Sequence, residues 1–315
     1  MDAAEAIEQY TMIARTKILI ALFAMLLLTA CSNKVYMFTS FHEPANEGLR
    51  LLYSKDGYHW KSIDSIYLKP LIGNDKIMRD PSMLQGPDGI FHLVWTTEWK
   101  GGNGFGYASS KDLIHWSEQQ YIPVMKQEPT VKNVWAPELF YDDEHKEYII
   151  VFASCIPGRF EKGVEDENNN HRLYYTTTKD FKTFTDTKLF LDPKFSAIDA
   201  EIIKRKQADY ILVVKDNTRP ERNIKVAFSN SPLGPWINMS KPFTEKFTEG
   251  PTVAKVKNGW LVYYDVYQKK KFGASFTKDF ATFVNADSLI SIPEGHKHGT
   301  VFMAKQKIVK GLLKP

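Results

Sequence analysis

The chain has 315 residues, 13% of them aromatic, and its 41 Lys and Arg against 37 Asp and Glu leave a net charge of only +4. Without a dense basic stripe interleaved with aromatics, nucleic acid is not an expected partner. Two cysteines, neither with a partner at metal-ligand spacing, leave no disulfide framework or thiolate metal site to read.

In chain order, the first feature is a leader. Arg15 and Lys17 precede the apolar run Ile18–Leu28, which has the length of a signal peptide rather than of a membrane span. It ends in Leu28-Thr29-Ala30-Cys31, followed by Ser32-Asn33, and resembles a bacterial lipoprotein box. The expectation is a signal peptide with lipobox over 1–31, cleaved before Cys31, the lipidated residue, ahead of a single domain over 32–315. Lipidation makes the anchor the only membrane contact, and Ser32 in place of an acidic residue points to the outer membrane of the cell envelope.

Past the leader, one motif recurs. It is a small or aromatic residue, Ser or Thr, a polar pair often ending in Asp, and an aromatic a few positions on. The copies are Tyr53–Trp60, Ala108–Trp116, Tyr175–Phe184, a looser Ala227–Trp236, and Ala274–Phe283. Their closing aromatics lie 56, 68, 52 and 47 residues apart, each interval having room for a four-stranded blade. Between them run short apolar stretches beside turn residues: Phe91–Thr97, Tyr148–Ala153, Tyr210–Lys215 and Trp260–Tyr264. No amphipathic helix is expected after the leader. The fold class predicted is all-β, a five-bladed β-propeller with a central channel. The polar stretch Gly158–His171 in the longest interval reads as a solvated loop.

In a propeller the innermost strand of each blade lines the channel. The residues just ahead of the predicted inner strands are Asp80, Glu138, Asp199, Glu249 and His298. Pro81 is expected to hold Asp80 in an extended conformation. Carboxylates brought together from separate segments push one another's pKa values apart, and a neutral acid beside an ionised base is what glycoside hydrolysis requires.

Arg79-Asp80-Pro81, Trp135-Ala-Pro-Glu138, Ile198-Asp199-Ala200, Glu249-Gly250-Pro251 and His298-Gly299, in this order on five repeats, resemble family 43 glycoside hydrolases. The resemblance runs from about residue 36 to about 303 and implies a five-bladed propeller that hydrolyses with inversion. It assigns Asp80 as general base, Glu249 as general acid, and Asp199 as the acid that tunes and orients Glu249. It also matches His298 to a histidine near the channel centre beside a bound calcium ion, while no cofactor is implied as a requirement. Glu138 and Ala200 depart from the usual Asp and Pro, so Glu138 is read as supporting or sugar-binding. Lys215 and Arg222 are candidates for sugar hydroxyls, with a Lys215–Asp199 salt bridge as the competing reading. Trp95, Trp99, Trp135 and Phe160 are candidate sugar platforms, each competing with a place in a blade core.

The implied activity is exo-hydrolysis of oligo- or polysaccharide, α-L-arabinofuranose being the first expected sugar and β-D-xylose the second. Galactose-specific hydrolysis, a retaining fructan or sucrose hydrolase of a related clan, and a non-catalytic carbohydrate-binding propeller are the rivals. Persistence of all three acids weighs against the last.

Overall fold

The computed structural model describes residues 34–314; the leader and Cys31 lie outside them. No helix among the described residues is long and apolar enough to cross a membrane.

The described chain opens with β1 (Lys34–Ser40), β2 (Arg50–Ser54) and β3 (Lys61–Ile63). Four meanders follow. The first blade is β4 (Arg79–Gln85), β5 (Phe91–Thr96), β6 (Phe105–Ser110) and β7 (Gln120–Ile122), and the second is β8 (Trp135–Asp142), β9 (Glu147–Cys155), β10 (His171–Thr178) and β11 (Lys188–Leu191). The third is β12 (Ala197–Lys206), β13 (Asp209–Asp216) and β14 (Asn223–Ser229), and the fourth is β15 (Glu249–Val256), β16 (Gly259–Val266), β17 (Lys271–Thr277) and β18 (Val284–Asn285). The last strand, β19 (Val301–Lys305), pairs antiparallel with β1, from Lys34–Lys305 to Phe38–Val301. It is thereby the inner strand of a fifth blade, β19-β1-β2-β3, which joins the two ends of the chain and closes the ring. The protein is an all-β five-bladed propeller. Closure leaves no long inner edge exposed.

Each blade buries both faces of its second strand against its neighbours, so those strands read as unbroken apolar runs rather than alternating ones. All six residues of β5 are buried. Five clusters fill the five gaps between blades; the one between the first and second blades packs Phe105, Ile150, Phe152 and Tyr174. The repeated Ser/Thr–Asp motif is the turn from third to fourth strand. In the first copy Ser54 Oγ accepts the Gly57 N–H at 2.9 Å, and Asp56 Oδ1 accepts those of Tyr58 and His59 at 2.7 and 2.9 Å. Thr277 and Asp279 repeat the pattern in the fifth. Satisfying the turn's N–H groups locally explains why these residue types recur. In the looser fourth copy Ser231 stands where Asp stands elsewhere, and the outer strand of that blade shrinks to one bridge, Phe228–Ile237.

Two expectations need correction. A helix does follow the strands, α1 (Gln306–Leu312), with Val309 and Leu312 buried in the cluster between the fifth and first blades. At seven residues it is too short to show periodicity. Asp80, Glu138, Asp199 and Glu249 lie within the inner strands, not ahead of them; only His298 precedes its strand. The reason is a break in register near the start of each of these four strands, where pairing skips from Arg79 to Ser82, Trp135 to Glu138, Ile198 to Ala200, and Glu249 to Thr252. At each break one residue takes a left-handed backbone: Asp80 (φ 49°), Ala136 (45°), Asp199 (51°) and Gly250 (55°). Such bulges re-aim side chains, and a left-handed non-glycine residue costs on the order of 1–3 kcal/mol that the surrounding fold must offset.

Candidate active site

The four bulges define two layers around the channel. The upper layer holds the bulge residues and their neighbours, including Asp80, Asp199, Glu249 and His298. Two residues further along each inner strand lie Ser82, Glu138, Glu201 and Thr252, which with Thr300 form a lower layer. A cleft of about 310 Å³ opens on both, lined by Asp80, Asp199, Gly250 and His298 above and by Glu138 below.

Asp80 is fixed by both oxygens. Oδ2 accepts from Thr96 Oγ1 at 2.8 Å, and Thr96 Oγ1 in turn accepts the Ala136 N–H at 2.8 Å, so the first and second blades are tied at the base of the site. Oδ1 lies 2.9 Å from His298 Nε2. Burial pushes this carboxyl up, but the hydrogen bond and charge of His298, with Arg79 and Thr96, outweigh it and hold Asp80 down at about 2. Asp80 is therefore an ionised carboxylate at any ordinary pH.

Asp199 behaves oppositely. Burial raises its pKa, Glu249 and Asp80 add to the rise, and Lys215 and His298 oppose it. Its Oδ2 accepts the Gly250 N–H at 3.0 Å, which couples it to the residue after Glu249. The Lys215 ammonium, on a side chain 2% exposed, donates to Glu249 Oε2 at 2.9 Å rather than to Asp199. Burial raises Glu249 as well, yet Lys215 and His298 outweigh it and hold it below the usual carboxylate value. The expected order is thus reversed in the resting site: the acid to be tuned upward is ionised, because a lysine sits on it, while its tuning partner is raised.

His298 lies between the acids, its Nδ1 4.0 Å from Glu249 Oε1. An imidazole's two nitrogens are roughly 2.2 Å apart, so these Asp80 and Glu249 oxygens lie at most about 9 Å apart across the ring, below the roughly 9.5 Å upper limit for inversion. Gly250 makes the ring's position possible, since a Cβ there would lie 2.0 Å from His298 Cγ.

In the lower layer there are hydroxyls but no cations. Thr300 Oγ1 lies 3.0 and 2.9 Å from the two oxygens of Glu138. Burial pushes Glu138 up to about 8 against the hydrogen bonds of Ser82 and Thr300. Burial and the proximity of Glu138 raise Glu201 strongly too. Glu138 is thus predominantly a neutral acid at pH 7 and lines the floor of the cleft.

The other expected sugar contacts are distributed differently. Trp95, on the doubly covered β5, is 0% exposed and packs in the blade core, its ring over Gly106; it is not a sugar platform. Trp135 has both ring faces covered, by Trp99 (centroids 4.9 Å apart) and His171 (5.0 Å), so it presents only its edge. The Arg79 guanidinium covers Trp99 in turn, at 4.6 Å, which makes a stacked wall and not an open platform. Phe160 lies under Arg172 at 4.7 Å. Arg222 places its carbonyl on the Thr248 N–H, one residue ahead of Glu249, and makes no ion pair among the described residues; its Nε is buried without a partner.

Asp265, Lys297 and Glu201 belong to the site without having been singled out. Asp265 pairs in register with Glu249, and Lys297 Nζ donates to its Oδ2 at 2.9 Å. Aligning the blades on their bulges finds Glu201, two residues after Asp199 as Glu138 follows Ala136.

Glu249, Asp265 and His298 could hold a metal ion, each offering a ligand atom within 4.8 Å of the others. The donor chemistry does not suit the calcium ion expected beside His298, however. Lys215 and Lys297 already sit on the two carboxylates, and His298 Nε2 is engaged by Asp80.

Comparison with known proteins decides the family. A model of a family related to glycoside hydrolase family 43, described as a probable glycosyl hydrolase domain, matches residues 32–308. The chain belongs to this family. The described propeller is thus a domain of the family 43-related glycosyl hydrolase type. A segment of 82 residues, 24% of the chain, is 29% identical to an α-L-arabinofuranosidase of Bifidobacterium longum, and the match spans 8% of that relative's length. Among solved structures, an endo-1,4-β-xylanase and an endo-arabinase, both from Bacteroides thetaiotaomicron, share the fold. The first has a TM-score of 0.60 at 17% identity, over 85% of this chain and 93% of its own. The second has 0.59 at 16%, over 84% and 91%.

Proposed function

We propose that this glycosyl hydrolase is an inverting, exo-acting enzyme that releases terminal pentoses from plant-type polysaccharide, α-L-arabinofuranose before β-D-xylose. The observation that carries the reading is Asp80, ionised and fixed in the cleft by Thr96 and His298, with the Lys215-bound Glu249 on the other side of the His298 ring. Asp80 takes a proton from water as the water oxygen bonds to the anomeric carbon. The glycosidic bond breaks on the opposite face, and its oxygen takes a proton from Glu249. Glu249 must first gain that proton, which requires a sugar to loosen Lys215 and deepen burial. Asp199 favours that uptake by repulsion and orients the acid through Gly250.

The floor that Glu138 gives the cleft supports exo action. The matched segment of the Bifidobacterium arabinofuranosidase supports the choice of sugar. We further propose that Cys31 carries a lipid anchor and that the enzyme works at the outer membrane of a bacterial envelope. The test is hydrolysis of aryl α-L-arabinofuranosides and β-D-xylosides, with the anomer of the first product read by proton NMR. Inverted product from the wild type and none from Asp80→Asn is expected. Retained configuration, or activity that survives in Asp80→Asn, contradicts the reading.

A further inference from the structure

We infer that a pocket outside the cleft, between residues 71–74 and the turn from β5 to β6, is a second carbohydrate-binding site. It holds a sugar unit of the polysaccharide beyond the one in the cleft. The inference rests on the proposed action on polysaccharide.

The pocket is open, of about 950 Å³, and Leu71, Asn74, Glu98, Asn103 and Tyr121 are among its lining residues. It lies on the same face of the propeller as the cleft. Thr96, whose hydroxyl holds Asp80, ends β5 in register with Arg79, and Glu98 follows two residues on. Two residues of chain span at most about 7 Å. Trp99 comes next, 46% exposed and stacked under Arg79, the neighbour of Asp80, so the stacked wall joins the two sites.

Hydrogen bonds between segments hold the pocket open. The Asn74 N–H donates to Glu98 Oε1 at 2.7 Å, and the Trp99 N–H returns to Asp75 Oδ2 at 2.8 Å. The Gly101 N–H reaches the Lys132 carbonyl at 2.9 Å. Gln119 accepts the Leu71 N–H at 2.9 Å and donates to the Lys69 carbonyl at 2.6 Å. Walls fixed in this way need little ordering when a ligand enters.

The polar groups left over suit hydroxyls. Glu98 is 5% exposed, and its Oε2 has no hydrogen-bond partner among the described residues. That oxygen lies over Gly102, where a Cβ would come within 2.3 Å of it. The Tyr121 hydroxyl donates to Asn103 Oδ1 at 2.9 Å and accepts the Asn103 N–H at 3.1 Å, which leaves Asn103 Nδ2 as a donor. A carboxylate oxygen that accepts and an amide that donates match a sugar's hydroxyls, each of which does both. Leu71, 69% exposed at the rim, suits the C–H face of a ring. The lining contains no Lys, Arg or His to attract an anion, and its single carboxylate falls short of the oxygen set that a hard cation needs. The volume is within the roughly 300–1,000 Å³ of small-molecule sites.

The test is affinity electrophoresis in gels containing arabinan, xylan or galactan, beside hydrolysis of aryl pentosides. At least one polymer is expected to retard the wild type and Asp80→Asn alike. Glu98→Gln, which keeps an acceptor for Asn74, and Leu71→Asp, at an exposed position, are expected to weaken that binding about fivefold or more. Their kcat on aryl pentosides is expected to stay within twofold of the wild type. No retardation by any of the three polymers, or equal retardation of wild type and both variants, overturns the inference. Retardation that the variants lose, without hydrolysis of any aryl pentoside, upholds the second site and contradicts the proposed sugar specificity instead.

Discussion

Asp80 and Glu138 both line one cleft on neighbouring inner strands, yet Asp80 is held down at about 2 and Glu138 is pushed up to about 8. Burial acts in the same direction on both. What differs is the partner: an imidazole ring and a guanidinium act on Asp80, whereas only the hydroxyls of Ser82 and Thr300 reach Glu138. Hydrogen bonds from neutral donors do not replace a counter-charge when a carboxylate leaves water. One fivefold scaffold thus supplies an ionised Asp80 that can act on a substrate and, one layer below, a largely neutral Glu138 at the floor of the cleft.

Exchanging charge in the two layers is the strongest way to break the contrast. Asp80→Asn is expected to lower kcat by about 10³-fold, the scale of a lost general base, while Glu138→Gln leaves kcat within about threefold. Comparable losses in both would dissolve the distinction. Next in size, Lys215→Met removes the charge that holds Glu249 ionised. The acid then keeps its proton to higher pH, and the alkaline limb of kcat/KM is expected to move up by about one unit or more. A limb that stays in place would mean that Glu249 is not the acid.

Stability provides a smaller and independent effect. The folded-state pKa of Glu138 is raised above its unfolded value, so the folded protein keeps a proton that the unfolded chain gives up. Stability is therefore lost as pH rises from the unfolded value toward about 8. Glu138→Gln removes that cost and is expected to raise Tm by roughly 2–4 °C at pH 8 and by nothing measurable at pH 4. Asp80 has the opposite sign. Its depressed pKa contributes stability above the unfolded value near 3.8 that is lost as pH falls toward about 2. Asp80→Asn should therefore flatten the acid limb of the Tm profile between roughly pH 4 and 2, the smallest of these effects.

The five blades were legible because their signal is local: a Ser or Thr and an Asp close each turn on its own N–H groups, so the same residue types must recur. Asp80, Asp199, Glu249 and His298 were legible through the short motifs around the bulges. The partners that set their charge were not. Asp265 meets Lys297 and His298 across more than thirty residues of sequence and reads as the tail of an apolar strand. A Lys215–Asp199 salt bridge is the pairing the sequence suggests, but the Lys215 ammonium reaches Glu249 on the next blade. Trp95 was placed with the sugar contacts although its strand is covered on both faces, a property that the unbroken apolar run Phe91–Trp95 already signals. Stacking of Trp135 between Trp99 and His171 joins segments whose contact no local pattern encodes.

The most direct test of the two-layer account is a carbon-13 NMR titration of side-chain carboxyls in protein labelled at Asp and Glu, with Asp80 and Glu138 assigned from Asp80→Asn and Glu138→Gln. The account predicts that the Asp80 signal keeps its ionised shift below pH 4 while Glu138 remains protonated at pH 6 and titrates near 8. A Glu138 that ionises near 4.5 with the ordinary glutamates, or an Asp80 that takes up its proton above pH 4, would contradict it.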